Sequence, residues 1–358
     1  MIHKVYFTPG PSQTFYTLPD HMKSAFNENV MSISHRGTAF QSIFAETRQN
    51  LKLLLGVPDN FDIYFLSSAN EIWERIIQNL VANHSHHFVN GSFSEKFFQF
   101  SQDYKKNSTK HNVDYGQDFT DFVIPESAEL ISVTLNETSI GYGFDLSKLK
   151  ELRTNYPDKL IALDGVSAFP SVPLDFNLID TAYFSIQKCF GLPSGLGVWI
   201  VNQKCFNKNE SLKKANIITG SYHDLNELKL MGDKNQTPET PNTLAIYLLG
   251  KVAGDMLNRG VKSIHNDTIY KASILYDALD KSKTLSPFIS TKVNRSKTII
   301  VANCAQGNKE LLQKMDAKGW VVGKGYGKFN DDHIRIANFP THSKEIIEQM
   351  ADFIAQET

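Results

Sequence analysis

The chain has 358 residues, with 37 Lys and Arg against 38 Asp and Glu and a formal charge of −1. That length allows a large core and two domains, and the charge balance points away from nucleic-acid or acidic-membrane partners. Cys189, Cys205 and Cys304 are odd in number and lack metal-ligand spacing. No disulfide framework and no metal site are therefore expected, and a reducing, cytoplasmic setting is. No apolar run is long enough to span a bilayer, and the opening residues show no basic-then-apolar leader.

Residues 1–15 read as an extended segment broken by Pro9 and Pro11. Phe40, Ile43, Phe44, Leu51, Leu54 and Leu55 then recur at helical spacing, with Gly56 as the C-cap. A buried strand over 62–66 runs into Ser67, Ser68, Ala69 and Asn70. An amphipathic helix with Ile72, Trp73, Ile76, Ile77 and Leu80 follows. A strand at 87–90, a turn at 91–94 and a Phe-rich helix come next. Strands at 130–135 and 160–163 flank a helix at 146–154. Apolar residues 182–186 lead through Gln187, Lys188 and a Gly/Pro loop to a second apolar run at 198–201. Residues 237–242 start a helix over 244–257. Beyond it lie a helix near 261–282, a strand at 298–302, a helix at 309–318 and apolar Val321 and Val322. A Gly-rich stretch at 323–327, a strand at 333–337 and a last helix capped by Ser343 complete the chain.

Strands alternating with helices predict an α/β fold: a mostly parallel central sheet with helices on both faces, plus a smaller α+β C-terminal domain. The expected division is an extended segment at 1–15, a large domain at 16–255 and a small domain at 256–358. In such sheets ligands collect beyond the carboxyl ends of the strands. The polar clusters at Ser68 to Asn70, Thr138, Asp164 and Lys188 all stand at such ends.

A lysine held partly out of water between strands has its ammonium form disfavoured, which suits an amine that forms a Schiff base. A pyridoxal phosphate (PLP) site needs that amine and a carboxylate facing the pyridine nitrogen. It also needs helix-start N–H groups for the phosphate, a covering ring, and an arginine for the substrate carboxylate. Lys188, Asp164, the group Ser68, Ala69 and Asn70, then Phe93 and Arg335 can fill these places in turn, with Thr138 as a further donor. Each has a plainer use too: a solvated lysine, a turn at Asp164-Gly165, capping by Ser68, core packing of Phe93, an ion pair for Arg335. Their joint placement at successive strand ends favours the cofactor reading.

The pieces Phe7-Thr8-Pro9-Gly10-Pro11, Ile33-Ser34-His35-Arg36, Ser68-Ala69-Asn70, Asn136-Glu137-Thr138, Asp164, Gln187-Lys188, Thr240-Pro241-Asn242-Thr243, Asn294-Arg295-Ser296 and Arg335 fall in one order over nearly the whole chain. In this the chain resembles the class V aminotransferases of PLP fold type I, most of all the branch acting on phosphoserine in serine biosynthesis. The resemblance implies that Lys188 is the Schiff-base lysine and Asp164 the partner of the pyridine nitrogen. It also implies cofactor contacts from Thr138 and Gln187, phosphate-binding amides at Ala69 and Asn70, and Phe93 where a tryptophan usually stacks. Thr240 would reach the cofactor phosphate of a neighbouring subunit, hence a homodimer with shared active sites. His35 and Arg36 would bind the distal carboxylate or phosphate of the substrate, and Arg335 its α-carboxylate. Amino acids and keto acids are the implied substrates.

Three departures stand out. Asn70 replaces a common arginine, Trp320 and Val321 align with a His-Arg pair, and Glu239 stands where an asparagine would meet the cofactor phosphate. Loss of basic residues, with the glycines at 323–327, keeps open a small-amino-acid transaminase of the alanine–glyoxylate or serine–pyruvate kind. A cysteine desulfurase would use Cys304, but Gln187 stands where that family has histidine. A non-catalytic protein of this fold would need no Lys188.

Overall fold

The computed structural model describes residues 4–104 and 106–356. In chain order these form β1 (Val5–Phe7), α1 (Leu18–Asn27), α2 (Thr38–Leu55), β2 (Phe61–Leu66), α3 (Ala69–Leu80), β3 (Ser85–Val89), α4 (Ser92–Asp103) and β4 (Thr109–Asn112). Next come β5 (Leu130–Thr134), the short pair β6 (Asn136–Glu137) and β7 (Tyr142–Gly143), α5 (Leu146–Asn155), β8 (Leu160–Asp164), β9 (Thr181–Ser185), β10 (Gly197–Asn202), α6 (Gln203–Lys214) and α7 (Leu225–Gly232). The remainder holds α8 (Thr243–Arg259), α9 (Val261–Lys281), β11 (Leu285–Pro287), β12 (Ile299–Cys304), α10 (Lys309–Ala317), β13 (Trp320–Lys324), β14 (His333–Ala337) and α11 (Lys344–Gln356).

Seven strands make the main sheet in the order β2-β10-β9-β8-β5-β3-β4. From β9 to β4 all neighbours are parallel; β10 runs antiparallel to both of its own. Every residue of β3, β5, β8, β9 and β10 is buried. A sheet covered on both faces requires this, and it is why these runs show little alternation. One face packs Phe44, Phe65, Ile246 and Leu249 from α2, β2 and α8; the other packs Trp73, Ile76, Tyr183 and Trp199 from α3, β9 and β10. The fold is α/β with a mostly parallel sheet and helices on both faces.

A second sheet has the order β1-β13-β14-β12-β11. Its own core combines Leu275, Ile300, Ile336, Ile347 and Phe353. The N-terminal segment is not merely extended: Val5 to Phe7 pair in parallel with residues 320–322, so the start of the chain is an edge strand of this sheet. Residues 1–3 of that expected segment, and the last two of the small domain, lie outside the described residues. The division expected at 255/256 falls inside α8, shortly before Gly260 ends it at φ +93°.

Candidate active site

The strands β5, β8 and β9 end at one cavity of about 130 Å³, which the starts of α3 and α4 close from the side. Wider grooves along α10, about 380 and 760 Å³, share no lining residue with it. Of the residues singled out from sequence, Ala69, Asn70, Phe93, Thr138, Asp164, Gln187 and Lys188 all line this cavity.

Lys188 follows β9 and is 9% exposed, its Nζ donating to the Pro9 carbonyl at 2.9 Å. Burial, then the nearby Arg335 guanidinium, bring its amine down to about 8. Gly10 lies against it with φ +138°, and a Cβ there would come within 2.6 Å of Lys188 Cε. Asp164, the last residue of β8, is 5% exposed. Burial pushes its carboxyl up to about 7, against the Val166 amide (2.9 Å) and the Tyr183 hydroxyl. Of the cations, Lys188 acts on it, more weakly than burial, the Val166 amide or the Tyr183 hydroxyl. The site thus holds an amine near neutrality and a buried acid.

The start of α3 follows from its capping. The Ser68 hydroxyl accepts the Glu71 amide at 3.1 Å and the Ser185 hydroxyl accepts the Ala69 amide at 3.2 Å. Ser68 is thus the N-cap, and the N–H groups of Ala69 and Asn70 stand at the positive end of the helix dipole. The start of α4 is held by a residue to which the sequence reading gave no role. Glu137 is fully buried and accepts from the Ser94 amide (2.9 Å), the Ser94 hydroxyl (3.0 Å), the Phe93 amide (3.3 Å) and the Ser139 hydroxyl (2.6 Å). That cap places Phe93 at the cavity. Thr138 bonds to the Ser167 hydroxyl at 2.7 Å, and Ser167 is held in turn by Asn136. Asn136, though part of the Asn136-Glu137-Thr138 motif, has no role assigned from sequence, and neither do Ser167 and Tyr183; a buried polar residue inside an apolar run is the signal available for Tyr183.

At the rim, the Arg335 guanidinium lies 5.2 Å from the Tyr326 ring, which sits 5.2 Å from Phe93. Lys96 Nζ donates to the Tyr326 hydroxyl at 2.8 Å. Tyr326 belongs to the Gly-rich stretch and joins the two sheets' domains above the site. Trp320, aligned with a basic residue of the family, is buried in the second core, edge-on to Phe353, and pairs with Val5. Cys304 ends β12 in that same core, its thiol raised to about 11 by burial, and takes no part in the cavity.

His35, Arg36 and Thr240 do not line the Lys188 cavity of their own chain. Arg36 donates to Gln236 Oε1 (3.0 Å), the Thr237 carbonyl (2.7 Å) and the Pro238 carbonyl (2.9 Å), beside the exposed Thr240. Glu239 turns to His223 Nε2 at 3.0 Å, while His223 Nδ1 bonds to Glu71. Burial opposes charge on His223, but its bonds to Glu239 and Glu71 outweigh that and raise it to about 9. The acid near the expected phosphate is thereby neutralised.

The family model for class-V aminotransferases matches residues 102–325, a stretch that includes Asp164, Lys188 and Glu239. The chain belongs to the class-V aminotransferases. As a member of that family it is a PLP-dependent transaminase, built on the fold type of that family. Its full length is similar to the solved structure of a phosphoserine aminotransferase from Cytophaga hutchinsonii, with 40% identity, a TM-score of 0.97 and coverage of 100% and 99% of the two chains. A phosphoserine aminotransferase of Rhodococcus opacus is 25% identical over 97% of this chain and 93% of its own. A probable phosphoserine aminotransferase of Dictyostelium discoideum is 29% identical over 80% and 76%.

The residues present fit the cofactor of this aminotransferase family. The Asp164 carboxyl is buried, and Gln187 Oε1 is a buried acceptor without a partner among the described residues. The amine, the acid and the helix start surround one space. A pyridinium N–H, a phosphate and an aldehyde are the groups that would satisfy them together. No helix among the described residues is long and apolar enough to cross a membrane.

Proposed function

We propose that this chain is a cytoplasmic, homodimeric phosphoserine aminotransferase. It would convert phosphoserine and 2-oxoglutarate to 3-phosphohydroxypyruvate and glutamate, and run the reverse. The observation that carries this reading is the likeness along the whole chain to the Cytophaga hutchinsonii protein named for that activity. PLP, when bound, supplies the electron sink that lets the bond between an amino acid's Cα and its proton break.

The chain's own groups do the rest. Asp164 would face the pyridine nitrogen and favour its proton; the Ala69 and Asn70 amides, with Ser68, would hold the phosphate; Phe93 would cover the ring; Thr138 and Gln187 would orient it. Lys188, an amine near 8, is suited to take the Cα proton on Nζ and to return it to the cofactor carbon on the far side of the substrate nitrogen. Arg335 offers a planar fork for the α-carboxylate. His35, Arg36 and Thr240 cluster on a separate surface, as expected if they complete the site of a second copy.

One observation favours a second reading, a small-amino-acid transaminase. Within the chain Arg36 already satisfies three acceptors, leaving fewer donors for a phosphate monoester. Rates on phosphoserine, serine and alanine, each with 2-oxoglutarate and with glyoxylate, separate the two. A preference for phosphoserine of at least tenfold in kcat/KM is the expected result; equal or faster turnover of alanine with glyoxylate would favour the second reading.

A further inference from the structure

Behind Asp164 stands a hydrogen-bonded pair that the proposed mechanism does not use. Asp164 and Tyr183 are register partners on the parallel strands β8 and β9, so both side chains leave the sheet on one face. Tyr183 is wholly buried. The Trp73 indole Nε1 lies 2.7 Å from the Tyr183 hydroxyl oxygen. An indole N–H can only donate, so the tyrosine oxygen accepts, and the phenol's own proton must find another acceptor. The partner it faces is the Asp164 carboxylate. With Asp164 ionised, the chain Trp73 N–H to Tyr183 O–H to Asp164 runs in one direction.

We propose that Tyr183, polarised by Trp73, is a positioning residue that keeps Asp164 ionised and aimed at the pyridine nitrogen of the bound cofactor. This rests on the reading that Asp164 meets that nitrogen. The direction of the chain matters because each donor strengthens the next, so a phenol that receives a hydrogen bond is a better donor. The Val166 amide holds one carboxylate oxygen at 2.9 Å. Tyr183 supplies the second donor from the protein side, leaving the cavity side of the carboxylate for the ligand. The tyrosine itself stays protonated, since burial first and then Asp164 drive its ionisation well above the usual range. It can donate at any working pH. The other charged groups acting on Asp164 are Glu137, which opposes its ionisation, and Lys188, which favours it. Neither is changed by substitution at Tyr183. The rings are held independently of the hydroxyl: Trp73 stacks on Phe97 at 5.6 Å, and Tyr183 meets Phe97 edge-on at 6.2 Å. Phenylalanine at position 183 would therefore keep the ring packing, lose the donor to Asp164 and leave the Trp73 N–H without its acceptor.

The test loads the full-length protein with 15N-labelled PLP and records the pyridine nitrogen resonance at neutral pH. That resonance averages over the share of molecules in which the proton sits on nitrogen and those in which it sits on Asp164. Loss of one hydrogen bond to a charged acceptor should shift that ratio toward the carboxyl about tenfold or more. Tyr183→Phe is expected to move the resonance toward the unprotonated position. Trp73→Phe, which leaves the hydroxyl but removes its donor, should move it the same way by less. A merely structural role would change occupancy or melting temperature without moving this resonance. An unmoved resonance in loaded Tyr183→Phe overturns the inference. If that variant does not fold, an unmoved resonance in Trp73→Phe does so. Failure of the unaltered chain to take up PLP would instead defeat the proposed function on which the inference rests.

Discussion

The pH at which this protein captures its cofactor follows from the burial of one amine. An exposed lysine titrates near 10.4, so roughly one in a few thousand is neutral at pH 7. Burial, followed by the Arg335 guanidinium, brings Lys188 to about 8, which makes about one in ten neutral. The reactive share is thus larger by roughly 200-fold. Between 8 and 10.4 the unfolded chain holds more protons at this residue than the folded one, so the cofactor-free protein gains stability with rising pH across that window. Stopped-flow absorbance after mixing cofactor-free protein with PLP measures the capture rate directly. The rate should climb with a midpoint near pH 8 and level off above it. Arg335→Gln removes a positive charge that disfavours the ammonium form, so its midpoint should lie higher and its rate at pH 7 lower. A wild-type rate that keeps climbing to pH 10, or a midpoint that falls in Arg335→Gln, would refute the reasoning.

Glu137→Gln should cost about 2 kcal/mol in chemical denaturation, because an amide NH2 would face buried donors that now share a carboxylate, and weaken PLP binding through Phe93; an unchanged midpoint would contradict the capping role. His223 has its pKa raised, so the stability its ion pairs contribute is present below about pH 6.5 and is lost as pH rises through about 9. His223→Gln should flatten that part of the stability–pH profile, measured by thermal melting from pH 6 to 10. Cys304→Ala should leave transamination unchanged and cost about 1 kcal/mol of stability from lost core packing; loss of activity would reopen a role for the thiol.

The parallel sheet was legible where its strands are largely apolar runs ending in polar residues, as at β5, β8 and β9, and the strand-end rule placed Asp164, Thr138 and Lys188 around one space. Their positions depend on strand geometry, which periodicity encodes. Residues set by side-chain orientation alone were not legible. Glu137 looked like a neighbour of Thr138, yet its carboxylate reaches back to the start of α4. Tyr183 read as one more apolar strand residue, since nothing local tells which hydroxyl will meet an indole on α3. Tyr326 owes its place to the pairing of β13 with β14, a contact between segments whose register the Gly-rich stretch conceals. β1 was read as a free extended piece because three residues carry no periodicity, and the strand it pairs with lies at the other end of the chain. α1, α6 and α7 went unread; α1 buries Leu18 and Ala25 alone among its ten residues, so the core fixes little of its sequence.

The central claim is that the Lys188 amine carries the cofactor. Incubation of the full chain with PLP, reduction with borohydride and peptide mass spectrometry tests it most directly. The account predicts a reduced pyridoxyl phosphate adduct on Lys188, at one per chain, and none in Lys188→Ala. Labelling spread over surface lysines, or an adduct seated on another residue while Lys188 stays unmodified, would contradict it.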